Sequence, residues 1–292
     1  MRSVLAQDPG VEAMQIEVVD NGDHHDDVAR LVRDVGGARV DIYRQPVHLP
    51  MADNWNTCVL RSRGEFVHIL NDDDEVLPDF YAAYWGAANR RVSMIAGQAI
   101  EIDETGRWTG VTPPLKAGDG LVCDAKVALA TTNVLRTPAV VLPRATYEAA
   151  GGFLPYLVHG PDWEMWARAA TTGAVAWVTP PRALYRIHAN AATALQVRTG
   201  ENIRDSLRVV ELVVARLDTP AERNRIRRLG LHLLAQAALQ QAGTGAALGD
   251  RRAWWENGLL AARLRPTLRA FITLALAAIR GRRTVSPGEF DS

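Results

Sequence analysis

Lysine and cysteine are close to absent from this sequence, which holds only Lys116 and Lys126, and only Cys58 and Cys123. Cysteines so far apart make neither a disulfide framework nor a zinc site, and they fit a reducing compartment. Also lacking is any long apolar run. Residues 1–14 have no charged start followed by an apolar core, as a signal peptide requires. The longest apolar run near the C-terminus, residues 270–279, is too short to span a bilayer. Charge of one sign is not in excess either: 33 Lys and Arg balance 33 Asp and Glu. Such balance gives no global attraction to nucleic acid or acidic lipid. The expectation is a cytoplasmic protein without a nucleic-acid partner, with peripheral contact to the inner face of the plasma membrane left open.

What is present is an ordinary globular composition, 48% apolar and 23% charged over 292 residues. That length suits one large domain or a catalytic domain with an appendage. Up to about residue 195, strand and helix patterns alternate. QIEVV ends at Asp20; Val28, Leu31, Val32 and Val35 follow helical spacing; residues 39–43 read as a strand. Met51, Trp55, Cys58 and Val59 mark a helix face, residues 65–70 a strand, and Pro78 the start of a further helix. Such alternation predicts an α/β sheet with flanking helices. SMIAGQAIEI and TPAVVLPR add strand-like runs around a Gly/Pro-rich section, residues 113–120, that reads as a mobile loop. Beyond residue 196 strand signals vanish, and residues 200–242 and 251–280 read as helices separated by a flexible GTGAALGD. The predicted organisation is a sheet domain over 1–195 and a helical C-terminal extension over 196–292.

The apolar run of EFVHILNDDDEVLPDF leads straight into Asn71, Asp72, Asp73, Asp74 and Glu75. In open α/β sheets ligands bind beyond the carboxyl ends of strands, where both Asp20 and this cluster are expected. Adjacent carboxylates repel by about 4 kcal/mol at ~4 Å under an effective dielectric near 20. Solvation or a bound cation relieves that repulsion. Oxygen ligands of this kind suit Mg2+ or Mn2+, held by one or two carboxylates plus substrate phosphates. The bland alternative is a solvated acidic turn.

Five ordered blocks give the cluster its context: EVVDNGDHHDD, MADNWNTCVLRSRGEFVHILNDDDEVLP, TPAVVLPRATYEAAGGF, HGPDWEMWARAA and YRIHANAAT. In this order they resemble the family 2 glycosyltransferases, inverting sugar-nucleotide enzymes with a GT-A fold. The resemblance implies a GT-A-like nucleotide-diphospho-sugar transferase sheet and a metal-dependent glycosyltransferase of hexosyltransferase type. Its substrates would be a nucleoside diphosphate sugar donor and a glycan or lipid-linked acceptor, as in cell-envelope polysaccharide synthesis. Asp20 matches the acid that contacts the nucleoside base, with Asn21 where a second Asp is more usual. Asp73 matches the prime metal ligand of the DxD motif, and Asp72 its neighbour toward the ribose and diphosphate. Asp162 matches the general base, with Pro161 in place of the usual Glu. His188 matches a histidine near the metal and diphosphate, so metal ligation is expected from Asp73, Asp72 and His188. Arg186 lies beside it on the nucleotide side. Trp163 and His159 are candidates for the acceptor side. The family's opening strand has no counterpart before MRSVLAQDPG, so the domain reads as N-terminally truncated, with two strands short of a pairing partner.

The residue chemistry agrees on its own terms. Displacement at an anomeric carbon needs the leaving diphosphate's charge neutralised and a base within reach of the acceptor hydroxyl. A carboxylate in the first turn of a helix is expected to stay ionised, which suits Asp162, although capping alone also explains an acid there. His24, His25, Asp26 and Asp27 read as a solvated loop entering a helix. Residues 251–283 carry eight arginines against the single acid Glu256. The part from Arg263 to Arg283, basic with an apolar face, fits an anionic membrane surface, or equally a helix packed on the catalytic domain or a second subunit. A non-catalytic GT-A-like partner or scaffold is the alternative reading of the whole chain. A nucleotidyltransferase would need a Gly-rich phosphate loop and lysine near the start, and both lysines are far from it.

Overall fold

The computed structural model describes residues 1–22, 27–88, 91–187, 197–266 and 272. Contacts divide the chain into two compact units, Met1–His188 and Ala189–Ser292.

The first unit opens with the short helix α1 (Arg2–Leu5), followed by β1 (Glu17–Asp20), α2 (Asp27–Gly36) and β2 (Asp41–Arg44). β1 and β2 pair in parallel, Asp20 opposite Arg44. The helical spacing predicted for 28–35 turns Val32 into the core, 2% exposed. In α3 (Met51–Arg61) the inward residues are Ala52 and Trp55. The main sheet follows, from β3 (Phe66–His68), β4 (Glu75–Val76), β5 (Val92–Ile102), β6 (Trp108–Val111), β7 (Gly120–Leu121), β8 (Val140–Pro143) and β9 (Ala174–Arg186). Its helices are α4 (Phe80–Ala87), α5 (Ala125–Thr131), α6 (Arg144–Ala150) and α7 (Pro161–Thr172).

Strand order along the main path is β3-β8-β5-β9-β4, with β6 on β5 and β7 on β9. β5 is buried over nearly all of its eleven residues, as a strand covered on both faces should be. It runs parallel to β9 and antiparallel to β8 and β6, so the sheet is mixed. The connection explains this: antiparallel neighbours can be joined by a tight turn, whereas parallel ones need a long crossover. Here β5 reaches β6 through residues 103–107, a turn tied by the Asp103 carboxylate to the Thr105 and Arg107 N–H groups at 2.9 and 3.0 Å. Among the described residues β1 pairs only with β2, and β3 only with β8, so the strands form two separate sheets.

The core beneath the strand ends is aromatic. Phe80 stacks on Tyr84 at 4.1 Å and on His68 at 4.8 Å. Tyr84 donates its hydroxyl to the Ala139 carbonyl at 2.9 Å, and it lies against Gly97 of β5. A Cβ at Gly97 would sit 2.7 Å from that hydroxyl, so only glycine admits the approach. His68 bridges the Pro138 carbonyl at Nε2, 3.1 Å, and the Tyr81 hydroxyl at Nδ1, 3.2 Å. The carbonyl can only accept, so Nε2 carries the proton and Nδ1 accepts from Tyr81. Burial holds this imidazole neutral and lowers its pKa to about 4. The section at 113–120, read from composition as mobile, is closed by internal bonds from Lys116 and tied to β9 through Asp119. Lys116 donates to the carbonyls of Ala117, Gly118 and Asp119, and the Asp119 carboxylate accepts from the Thr179 N–H and hydroxyl.

In the second unit the expected single helix over 200–242 is two: α8 (Glu201–Val214) and α9 (Pro220–Ala247). The break has a signal in the sequence. Thr219 caps α9 by accepting from the Glu222 N–H at 3.2 Å, with Pro220 at the first helical position. α9 then runs straight through the Gly243 and Gly245 expected to interrupt it. Gly245 is required for packing rather than flexibility: a Cβ there would meet the Trp254 backbone nitrogen at 2.8 Å. Trp254 belongs to α10 (Arg251–Leu264), capped by Asp250 on the Ala253 N–H. Small residues on α9, including Gly230, Ala238 and Ala242, are buried, and a Cβ at Gly230 would meet Val210 of α8 at 2.9 Å. Arg263 and Arg265 of the basic stretch are described; the rest of its arginine-rich part, with Arg269, Arg280, Arg282 and Arg283, lies outside the described residues.

Candidate functional site

The acidic turn joins β3 to β4 and divides its carboxylates by direction. Asp72 is exposed and Asp73 partly so, while Asp74 is folded inward at 3% exposure. The Asp74 oxygens accept from the Asn71 amide at 3.1 Å and the Arg186 backbone N–H at 3.0 Å. Burial, reinforced by the neighbouring charges of Asp73 and Asp72, raises its pKa to about 7 despite those bonds. Asp74 thus fixes the turn, and Asp72 and Asp73 are the carboxylates presented outward.

Arg186 fastens this turn to the ends of the long strands. Its Nε donates to the Asp73 carbonyl at 2.9 Å, and one terminal nitrogen to the Asp103 carbonyl at 3.0 Å. The other terminal nitrogen pairs with Glu75 at 3.1 Å. The sequence places Arg186 on the nucleotide side; its guanidinium is committed to holding the backbone that carries Asp72 and Asp73. Its companion in that reading, His188, lies outside the described residues, as do His24, His25 and Asp26.

Asp20, at the carboxyl end of β1, is 5% exposed and ion-paired with Arg44 Nε at 2.8 Å. Its other oxygen accepts the Gly22 N–H at 3.3 Å. Asn21 clamps a single peptide group: its amide donates to the Leu49 carbonyl at 2.9 Å and accepts the Leu49 N–H at 3.1 Å. An aspartate there could accept but not donate, which gives a structural reason for the amide.

Asp162 occupies the first turn of α7, one residue after Pro161. The Trp163 N–H donates to one carboxylate oxygen at 2.6 Å and the Asn133 amide reaches the other at 3.4 Å. The helix terminus was expected to keep this acid ionised. Burial outweighs it: the pKa of Asp162 is raised, with the Trp163 N–H, His159, Asn133 and Arg136 opposing. Trp163 differs from its acceptor-side expectation. It is 3% exposed and its indole N–H donates to the Leu129 carbonyl at 2.6 Å, so it packs α7 onto α5 rather than lining an open site. His159, partly buried ahead of α7, is close enough for its charge to act on Asp162.

Tyr185 of β9 joins these parts. The charges of Asp73, Asp74 and Asp162 all raise the pKa of its phenol, after burial, and Arg136 lowers it. Arg186, the next residue in β9, anchors the acidic turn, and Asn133, which contacts Asp162, lies three residues from the Arg136 that reaches the Tyr185 ring, so acidic turn and α7 carboxylate share one region of the first unit. The Arg136 guanidinium lies 5.2 Å from the Tyr185 ring centre and pairs with Glu101 at 2.8 Å. Asn133, Arg136 and Glu101 escaped the sequence reading because they sit outside the quoted blocks; Tyr185 is in YRIH but carried no role.

Among the described residues no three His, Cys, Asp or Glu side chains converge on one point. The outward pair, Asp72 and Asp73, nonetheless has the donor chemistry of a Mg2+ or Mn2+ site completed by substrate phosphates.

Residues 1–119 match the family model for Glycosyl transferase family 2. A search of curated proteins finds no significant match. Among solved structures, S. aureus TarS residues 1–349 in complex with UDP-GlcNAc aligns with a TM-score of 0.66 at 10% identity, covering 95% of this chain and 85% of that one. The same protein in complex with UDP aligns with a TM-score of 0.61 at 13% identity, covering 99% and 89%. GalNAc-T7 with UDP, GalNAc and Mn2+ aligns with a TM-score of 0.52 at 14% identity, over 72% of this chain and 44% of that one. The likeness extends the shared fold well beyond the segment matched by sequence. Residues 1–119 thus resemble the family 2 glycosyltransferases, and the chain shares the fold of these solved glycosyltransferases, with helices at its C-terminal end.

Proposed function

We propose that the protein is an inverting glycosyltransferase that moves a sugar from a nucleoside diphosphate sugar to a hydroxyl of a glycan or lipid-linked acceptor, in cell-envelope polysaccharide synthesis. In this reading the transferase domain spans residues 1–195 and 196–292 is a helical extension. The work is done in the cytoplasm, with the arginine-rich C-terminal segment resting on the inner membrane surface. The observation that carries the reading is the shared neighbourhood of Asp162 and the acidic turn: Asn133 contacts Asp162, nearby Arg136 lies 5.2 Å from the Tyr185 ring, and Arg186 beside Tyr185 anchors the turn, in a unit whose first 119 residues match the family. Support for a UDP-type donor comes from the TarS structures, solved with UDP-GlcNAc and with UDP.

Asp162 accepts the proton of the acceptor hydroxyl as its oxygen bonds to the anomeric carbon. The bond from that carbon to the diphosphate breaks on the opposite face, and the nucleoside diphosphate leaves with the electron pair. A raised pKa helps an acid of this type serve as base near neutrality. Asp20 orients the nucleoside, its carboxylate set by Arg44, and Asn21 holds the adjacent loop at Leu49. Asp72 and Asp73, steadied by Arg186, would hold Mg2+ or Mn2+ together with His188; the bound ion neutralises charge on the leaving diphosphate.

Asp162→Asn tests the assignment. Sugar transfer should fall by at least ~10²-fold with UDP binding unchanged. Loss of both, or loss of neither, contradicts a base at this position.

A further inference from the structure

Asp162 has a hydrogen-bonding shell of which the sequence blocks contain only the Trp163 part. One oxygen is taken by the Trp163 N–H at 2.6 Å. The other faces the side chain of Asn133, at 3.4 Å from Nδ2. Which end of that amide faces Asp162 is decided locally: the Leu135 N–H donates to Asn133 Oδ1 at 3.3 Å. An oxygen so engaged turns the NH2 group toward the carboxylate. Asn133 is therefore a donor to Asp162 and cannot act as its acceptor without giving up the Leu135 contact. A donor aimed at a carboxylate favours the ionised form and restricts its rotamer. The contact is long, as such bonds often are before substrate is bound.

We infer that Asn133 is a positioning residue for Asp162, holding the carboxylate oxygen that Trp163 leaves over and orienting it to receive a proton. The inference rests on the glycosyltransferase reading for its catalytic meaning, and on the geometry alone for the contact. Other charges facing Asp162 are His159 on the loop before α7 and Arg136 after α5, the latter paired with Glu101. Tyr185 faces it from β9. Neither Asn133→Ala nor Asn133→Asp removes any of these groups; the first takes away the amide donor, and the second replaces it with a charge.

The contact can be tested without substrate. In the full chain with carboxyl-¹³C aspartate, the Asp162 signal is the one missing from Asp162→Asn. Its titration midpoint should rise by about half a unit or more in Asn133→Ala, where a donor to the ionised form is lost. It should rise further in the nearly isosteric Asn133→Asp, which puts a second carboxylate beside the first. Release of UDP from UDP-GlcNAc with Mn2+ should show its acid limb moving the same way, while UDP affinity stays at the wild-type value. A wild-type midpoint in both variants overturns the inference. If the midpoint moves but the wild-type chain binds no UDP, the transferase reading fails, and with it the catalytic role given to Asn133.

Discussion

Replacing Asp74 by Asn should make the protein progressively more stable than wild type as the pH is raised from about 4 to about 7. The buried carboxyl of Asp74 has its pKa raised from 3.8 to about 7. Over that interval the native state keeps the proton and the unfolded chain has lost it. A raised folded pKa gives stability that is complete below the unfolded value and lost as pH passes through the folded one. At 1.36 kcal/mol per unit, the loss amounts to about 4 kcal/mol. In wild type much of this slope is concealed. His68 is lowered to about 4 from 6.5, so its native environment disfavours protonation and stability rises with pH between those values. That opposing contribution is about 3 kcal/mol. The two nearly cancel, so wild type alone reveals neither. Urea unfolding of wild type and Asp74→Asn in EDTA, at steps from pH 4.5 to 7.5, isolates the Asp74 contribution in the difference, because other groups are common to both. EDTA matters because a divalent ion would favour ionised carboxylates at the turn. A difference that grows by several kcal/mol with pH is expected. A difference independent of pH would refute the inward, protonated Asp74.

Other changes test separate parts of the structure. Arg168→Ala removes the ion-pair partner of Glu164, which is fully buried at 0% side-chain exposure and paired with Arg168 at 2.7 Å; unfolding free energy should drop by about 3–5 kcal/mol. The same change frees the Gly152 carbonyl, held by Arg168 at 2.6 Å, and should speed proteolysis in the loop before α7. Gly245→Ala drives a methyl against the Trp254 backbone and should cost about 1–3 kcal/mol in denaturant unfolding. Arg186→Lys loses the forked contacts to Asp73, Asp103 and Glu75. Weaker Mn2+-dependent UDP binding, with little change in unfolding midpoint, is the expected calorimetric outcome.

The sequence was most readable where one period dominated. Val92–Ile102 is mostly apolar and is the buried central strand; on the predicted helix faces Val32 and Trp55 fell inward, whereas Leu31 and Met51 are exposed. Placement of the acids at strand ends also followed from the pattern, since Asp20 closes β1 and the 71–75 cluster follows β3. Direction was not readable. Nothing in NDDDE says that Asp74 turns inward to the Arg186 N–H, because that bond depends on a strand more than a hundred residues later. Arg186 was expected on the nucleotide side beside His188, and nothing in YRIH announces that its guanidinium also holds the backbone of the acidic turn. The α9 helix passes through two glycines because α10 packs against one of them, a tertiary gain that outweighs local propensity. Asn133 has no local signal at all. Its function comes from Leu135 fixing its amide and from α7 arriving opposite.

The central claim is that the acidic turn receives the diphosphate of a nucleotide sugar. Calorimetric titration of the full chain with UDP, GDP and dTDP, each with and without Mn2+, tests it most directly. Binding of one nucleotide that requires Mn2+ and disappears in Asp72→Asn/Asp73→Asn is the predicted result. No binding under any of these conditions would contradict the account and favour a non-catalytic role for the same fold.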